Sequence, residues 1–220
     1  MRGTNLILIC SLTIALLLGC GFSTEKRRPK AIEEELAKRD VKILSNAEIL
    51  ASGKKIGDSI TMLAQVQLME LLSKKIKEGD FDHAVNFCSE KAQFLTDSIG
   101  NAQEVVLKRV SLKNRNPSNK PDSLQAELLE AYAYSAKQGT KLSSNLQLFS
   151  NGDSLLYNKP IFLASNLCLN CHGAENDLSD GVKQTLAIKY PNDKATGYAL
   201  GDFRGLWSVK FSKKQLVNQL

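Results

Sequence analysis

The sequence predicts an α+β fold in which helices come first and an antiparallel sheet follows. Apolar residues recur at helical spacing through residues 44–99, and no proline interrupts them. The later part of the chain instead contains short extended segments separated by turn-forming residues. Runs of helix followed by runs of strand are typical of α+β domains. The length of 220 residues fits one such domain with an N-terminal extension.

The first residues of the chain predict export and a lipid anchor. A charged start at Arg2 precedes an apolar run over residues 6–19, which is too short to span a bilayer as a mature helix. The run ends Leu-Leu-Gly-Cys at Cys20 and resembles the lipobox of bacterial lipoproteins, in which the cysteine is diacylated and the chain is cleaved just before it. We therefore expect a lipoprotein signal peptide over residues 1–19 and a chain tethered to a membrane on the periplasmic side of the bacterial envelope. The alternative is an ordinary signal peptide that contains a cysteine.

A polar segment over residues 20–43 predicts a lipid-anchored linker, with a short charged helix at residues 31–39. Without the signal peptide the chain keeps 28 of its 29 basic residues against 23 acidic ones, a net charge of +5. The one basic run, Lys26-Arg27-Arg28, lies beside the lipid site and is typical of a membrane-proximal tether. We therefore expect no nucleic-acid partner.

Two helices separated by Gly79-Asp80 are predicted to open the domain, which spans residues 44–220. The first helix, residues 44–77, carries two apolar stripes on different sides. Such a helix either packs between two layers of its own domain or shares a stripe with a second copy, which leaves a homodimer open. The stripes are Ile56, Ile60, Leu63, Ala64, Leu68 and Leu71, and Met62, Val66, Met69 and Ile76. The second helix, residues 81–99, has one apolar face of Phe81, Val85, Cys88, Ala92, Leu95 and Ile99.

The later elements are predicted from turn residues and from alternation of apolar and polar residues. A helix capped by Asp122 or Ser123 is expected to run to Lys137 and to end at Gly139. An Asn151-Gly152 turn predicts a hairpin. The remaining predictions are strands at 104–113, 142–149, 154–157, 159–164 and 203–211, a loop at 114–121 and a short helix at 181–188.

Cys168-Leu169-Asn170-Cys171-His172 forms a Cys-x-x-Cys-His motif, the attachment signature of c-type haem. Two thiols at this spacing reach both vinyl groups of one haem, and the following imidazole becomes the proximal iron ligand. A redox dithiol or half of a zinc site also contains Cys-x-x-Cys. The zinc interpretation lacks a second cysteine pair, and the dithiol interpretation lacks the expected βαβ pattern.

Counting the five cysteines leaves one thiol unexplained. Cys10 leaves with the signal peptide, Cys20 carries lipid, and Cys168 and Cys171 hold haem, so Cys88 has no disulfide partner in an oxidising compartment. The candidates for a second axial ligand are Cys88, His83, Met62 and Met69. Methionines on a helical stripe are more often core residues, and His83 lies off the apolar face.

Several long stretches resemble the c-type haem domain with a PAS-like fold, which occurs alone in bacteria or as an extracytoplasmic input module of signalling proteins. The matching stretches are residues 87–92, the Arg-x-Ser-x-Lys-x-Arg-Asn-Pro block at 109–117, the motif at 168–173, and residues 190–198 and 201–205. The resemblance implies a PAS-like antiparallel sheet with flanking helices, a long N-terminal helix and one covalent haem c. It also implies that His172 and Cys88 are the axial ligands.

A thiolate ligand stabilises ferric iron and predicts a low reduction potential. Since both axial positions are then filled by the protein, we expect no enzyme. Arg109, Lys113, Arg115 and Arg204 are the candidates to pair with haem propionates. We expect an envelope-tethered, single-haem cytochrome domain for redox or gas sensing, acting on an unidentified redox or signalling protein. The alternative is a low-potential periplasmic electron-transfer cytochrome.

Overall fold

The computed structural model describes residues 29–38, 44–149 and 152–218. The chain divides into a unit before residue 44 and a unit from Leu44 onward. Within the first unit, the described residues form one helix, α1 (Lys30–Lys38), which confirms the short charged helix. The predicted signal peptide and most of the predicted linker lie outside the described residues. Among the described helices, none has the length and apolar character to span a membrane.

The second unit begins with a long helix, α2 (Asn46–Ala102), which is broken in the middle. Ser45 caps its start: the Ser45 hydroxyl accepts the Glu48 N–H, and the Glu48 carboxylate accepts the Ser45 N–H. Gly79 and Asp80 leave helical geometry, with Asp80 at φ 67° and ψ −173°. That region is occupied almost only by glycine, so Asp80 is a strained residue. The predicted break between two helices is confirmed.

Four antiparallel strands form one sheet in the order β1-β4-β3-β2. The last strand of the chain therefore lies between the first and the third. The strands are β1 (Val106–Val110), β2 (Asn145–Phe149), β3 (Ser154–Phe162) and β4 (Phe203–Ser212). β3 runs unbroken through Asn158, where the sequence predicted a gap between two pieces, and continues through Pro160. Its pairing with β2 ends at Asn158, so the proline, which has no N–H, falls where that edge is free.

The two faces of the sheet pack against different helices. The main core lies between one face and α2 and includes Ile60 and Ala64 from the helix and Tyr157 and Trp207 from the strands. Most of the predicted first stripe of α2 thus packs within the domain, although Leu63 is 40% exposed. Of the second stripe, Met62 and Val66 are 58% and 41% exposed, so α2 is not covered on both sides as a helix between two layers would be.

On the opposite face, α3 (Ser123–Lys137) places Leu129 against Val110 and Leu206. Asp122 caps α3 by accepting the Gln125 N–H at 2.8 Å, as predicted. Three further helices complete the unit, and the sequence predicted only the second of them: α4 (Asn166–His172), α5 (Asp180–Lys189) and α6 (Lys213–Asn218). α5 packs against the second half of α2, where Val85 meets Val182 and Leu186.

Candidate functional site

The Cys-x-x-Cys-His motif lies on the short helix α4. Residues three apart on a helix lie on one side, so Cys168 and Cys171 are neighbours one turn apart. The helix ends directly after His172, where the Gly173 N–H donates to the Leu169 carbonyl at 2.8 Å. The motif therefore presents two thiols and an imidazole from one compact turn of chain.

The His172 ring is fixed by a later loop. Its Nδ1 lies 2.7 Å from the Ala195 carbonyl oxygen, and because a carbonyl only accepts, Nδ1 carries the proton. Burial, and then the charges of Arg115 and Arg204, hold the pKa of His172 well below its ordinary value. The imidazole is therefore neutral, with its Nε2 lone pair free. A ligand histidine whose other nitrogen donates to a carbonyl is the usual arrangement in metal sites.

This loop, residues 193–198, is held against the end of α4 by hydrogen bonds. The Gly197 N–H donates to Gly173 O at 2.7 Å, and the Tyr198 N–H donates to His172 O at 3.0 Å. Arg115 links the two segments: its Nε donates to Asp193 at 3.0 Å, and an Nη donates to the Cys171 carbonyl at 2.6 Å. Both partners of this ion pair are nearly buried, with side chains 12% and 11% exposed. Arg115 thus holds the motif in place from the loop after β1.

One cavity brings the predicted site residues together. It lies between α2, the sheet, α4 and the loop after β1, and about 1340 Å³ of space separates its walls, part of it open to solvent. Much of the wall is apolar, from residues such as Leu68, Leu72, Phe81 and Val85. The predicted cofactor and metal residues that line it are Cys88, Arg109, Arg115, Cys168, Cys171, His172 and Arg204.

Cys88 reaches the cavity from the second half of α2, after the break at Gly79-Asp80. Burial raises the pKa of its thiol, and the nearby charges of Arg109 and Arg115 oppose that rise. Burial likewise raises the pKa of Cys171 to about 11. Within the described residues, Cys88, Cys168 and Cys171 form no disulfide. Burial thus disfavours the thiolate form of Cys88 and Cys171, and binding a metal or forming a thioether would remove the thiol proton.

Of the other candidates for the second iron ligand, only one lines the cavity in the described structure. Met69 lines the cavity together with Cys88. Met62 and His83 are exposed and lie outside the cavity wall. Sequence reasoning attached no role to Asp193 and Ala195, which fix Arg115 and His172, or to Tyr190, which lines the cavity. Their one sequence signal was the match over residues 190–198. In the described chain, no group of three His, Cys, Asp or Glu side chains could hold a bare metal ion.

Comparisons with known proteins support one family and one fold. A family model described as Tll0287-like: Tll0287 matches residues 28–212. The crystal structure of the cyanobacterial heme-protein Tll0287 is similar to this chain, with a TM-score of 0.53 and 24% identity. The match covers 72% of this chain and 94% of that chain. This likeness confirms the predicted α+β fold with an antiparallel sheet and a long helix. No curated protein sequence matches the chain.

Proposed function

The chain belongs to the Tll0287-like family, and from this premise we propose that it is a single-haem domain that holds haem c covalently. The observation that carries the proposal is the cavity, whose wall contains both motif thiols, the motif imidazole and the Cys88 thiol. The similar crystal structure is that of a heme-protein, which supports haem as the ligand class.

The donor set fits such a group. Cys168 and Cys171 would form thioethers with its vinyl groups, and His172, with Nδ1 tied to Ala195, would offer Nε2 to the iron. The apolar wall would surround the macrocycle, while the arginines suit its carboxylates. When bound, the haem would supply one-electron redox chemistry and an iron centre for small ligands.

We propose that Cys88 would be the second protein ligand of the iron. It lines the same cavity as His172 and comes from a different helix, α2 rather than α4. Met69 is the alternative within the same wall. The anionic sulfur would favour the ferric state and give a low reduction potential.

The covalent attachment is tested by expression with a cytochrome c maturation system, denaturation, haem staining and intact mass. The wild type is expected to keep one haem on the denatured chain. Cys168→Ala together with Cys171→Ala is expected to lose it, and Cys88→Ala, the matched thiol control, is expected to keep it. A wild-type chain without haem after denaturation contradicts the proposal.

Redox or gas sensing is the role we propose for this haem. The support is mechanical: Cys88 lies on a helical segment joined to the rest of α2 through the strained Asp80, so a change at the iron could move that segment. The alternative is a low-potential electron carrier, which the partly open cavity favours because an exposed cofactor edge suits electron transfer. Carbon monoxide binding to the ferrous form, with loss of the sulfur ligand, favours sensing. A ferrous form that keeps both ligands and exchanges electrons rapidly favours the carrier.

The cellular location and the partners that we propose for this domain rest mainly on its sequence. We propose that Cys20 carries lipid and tethers the chain to a membrane of the bacterial envelope, on the periplasmic side. We propose a binding module rather than an enzyme, acting on a redox or signalling protein and not on nucleic acid. The exposed Met62 and Val66 on α2 support a homodimer.

A further inference from the structure

The charges of the cavity wall are unbalanced. Three guanidinium groups line it, and among the described residues of the wall there is no aspartate or glutamate. Its other titratable groups are Cys88, Cys168, Cys171, His172 and Tyr190, none of which is a carboxylate. An apolar space with this excess of positive charge suits an anionic ligand group.

Two of the three arginines already have partners in the protein. Arg115 is paired with Asp193 and also donates to the Cys171 carbonyl. Arg204 donates to the Ser111 hydroxyl at 2.7 Å and to the Lys113 carbonyl at 3.0 Å, which joins the start of β4 to the chain after β1. Both side chains therefore hold the frame of the cavity.

Arg109 differs from both. It lies on β1 beside Trp207 of β4, with its guanidinium carbon 5.6 Å from the centre of the indole ring. Its Nε is buried and makes no hydrogen bond in the described chain. The structure places the Cys88 sulfur in the same wall, yet the two groups form no hydrogen bond. A buried guanidinium nitrogen without an acceptor is costly, so the acceptor is expected to arrive with the ligand.

We infer that Arg109 is the anion-binding residue of the cavity and receives a carboxylate of the bound group, whereas Arg115 and Arg204 position the surrounding chain. This inference rests on the proposed function, in which that carboxylate is a haem propionate. Among the three arginines of the wall, it assigns the propionate to Arg109, whose buried Nε has no hydrogen-bond partner in the described chain.

The test compares Arg109→Gln with Lys108→Gln in the haem-loaded protein. Lys108 is the neighbouring residue of β1 and is exposed, so its variant loses the same charge outside the cavity. The midpoint potential of Arg109→Gln is expected to fall and to vary with pH between about 5 and 8, because a carboxylate without its cation in an apolar site binds a proton at higher pH. The wild type and Lys108→Gln should show neither change.

Two further variants show why Arg109→Gln changes the midpoint potential or the haem content. In a Cys88→Ala background, the shift caused by Arg109→Gln should persist; if it disappears there, Arg109 acts on the sulfur and the inference is overturned. If Arg109→Gln retains no haem, recovery of haem in Arg109→Lys supports the need for a cation, and loss in both variants overturns it. A wild-type protein that holds no haem contradicts both the proposed function and this inference. Loaded variants with wild-type potentials at every pH contradict the inference alone.

Discussion

Cys88 is the residue that decides the chemistry of the proposed iron centre. It lies in the cavity wall as a free thiol, and its position on α2 separates it from the motif on α4. We expect Cys88→Ala to keep covalent haem, because the thioethers do not involve Cys88. The ferric spectrum should lose its low-spin thiolate character, and the midpoint potential should rise because a negative ligand is gone.

Electronic absorption, electron paramagnetic resonance and redox titration check this prediction. Cys88→Ser is a matched variant that keeps a small polar side chain. An unchanged ferric spectrum in both variants would make Cys88 a wall residue. Met69, which lines the same cavity, would then take the ligand role and favour the electron carrier.

Tyr157 joins the main core to Asp58 of α2. Its hydroxyl donates to Asp58 at 2.5 Å. Burial raises the pKa of Asp58, but the hydrogen bonds from Tyr157 and Lys54 outweigh that effect and leave the pKa below its ordinary value. A carboxylate whose pKa is lowered on folding stabilises the fold above its unfolded pKa, and this contribution disappears as the pH falls through the folded value.

Tyr157→Phe is therefore expected to lower the free energy of unfolding by about 1 kcal/mol at pH 7, since Asp58 is partly exposed. The difference from the wild type should shrink as the pH falls below the ordinary aspartate pKa of about 3.9 toward the lower folded value of Asp58. Urea titrations at pH 7 and at about pH 2.5 measure this difference in the free energy of unfolding. A constant difference at both pH values would mean that packing, not the carboxylate, causes the loss.

At the scale of elements, the packing of α2 on the sheet depends on a close approach at Gly57. A Cβ added there would overlap the ring of Tyr157 on β3. At Gly53, one turn earlier, an added Cβ would meet only the ends of the Leu146, Leu216 and Phe211 side chains, at 3.0 Å or more. The helix therefore lies closest to the sheet at Gly57.

Glycine to alanine inside a helix ordinarily gains about 1 kcal/mol. We expect Gly57→Ala to lose about 2 kcal/mol or more instead, because the ring must move. Gly53→Ala, the control, should cost less. Thermal unfolding of both variants checks that Gly57→Ala loses more stability than Gly53→Ala. Equal stabilities would show that α2 can move away from Tyr157 without loss of free energy.

Local patterns predicted the elements better than they predicted the contacts between them. The break at Gly79-Asp80 and the face around Cys88 follow from helix spacing and from glycine, and both are confirmed. The ion pair of Arg115 with Asp193 joins residues 78 positions apart, and no spacing rule reveals such a pair. The sequence predicted β3 as two pieces on either side of Asn158, whereas the structure has one strand whose pairing with β2 ends at that residue.

At the scale of the whole molecule, we propose that Cys20, which lies outside the described residues, sets where the domain acts. We expect Cys20→Ala to release the protein from the membrane fraction or to leave it unprocessed, because diacylation supplies about 0.8 kcal/mol per buried methylene. Fractionation with metabolic palmitate labelling tests this. Cys10→Ala, a cysteine change within the signal peptide, is the control, and identical behaviour of the two variants would make the lipobox a coincidence.

A homodimer formed through the exposed apolar residues of α2 is also a property of the whole molecule. Val66 is exposed on α2 beside Met62, and a second copy would cover both. Val66→Lys is expected to shift sedimentation from dimer toward monomer, while Lys55→Ala, at another exposed position of the helix, leaves it unchanged. A wild type that sediments as a monomer at every concentration contradicts the homodimer.

The central position of β4 has a consequence for the order of assembly. Because β4 lies between β1 and β3, the sheet cannot close until the last part of the chain is available to it. The loop that fastens His172 also follows the motif in the chain. In the export that we propose, the two motif thiols would therefore be available to a haem-attaching machinery before the cavity exists. The fold would then close around a group that is already bound, so attachment would precede folding and would not require the finished cavity to reopen.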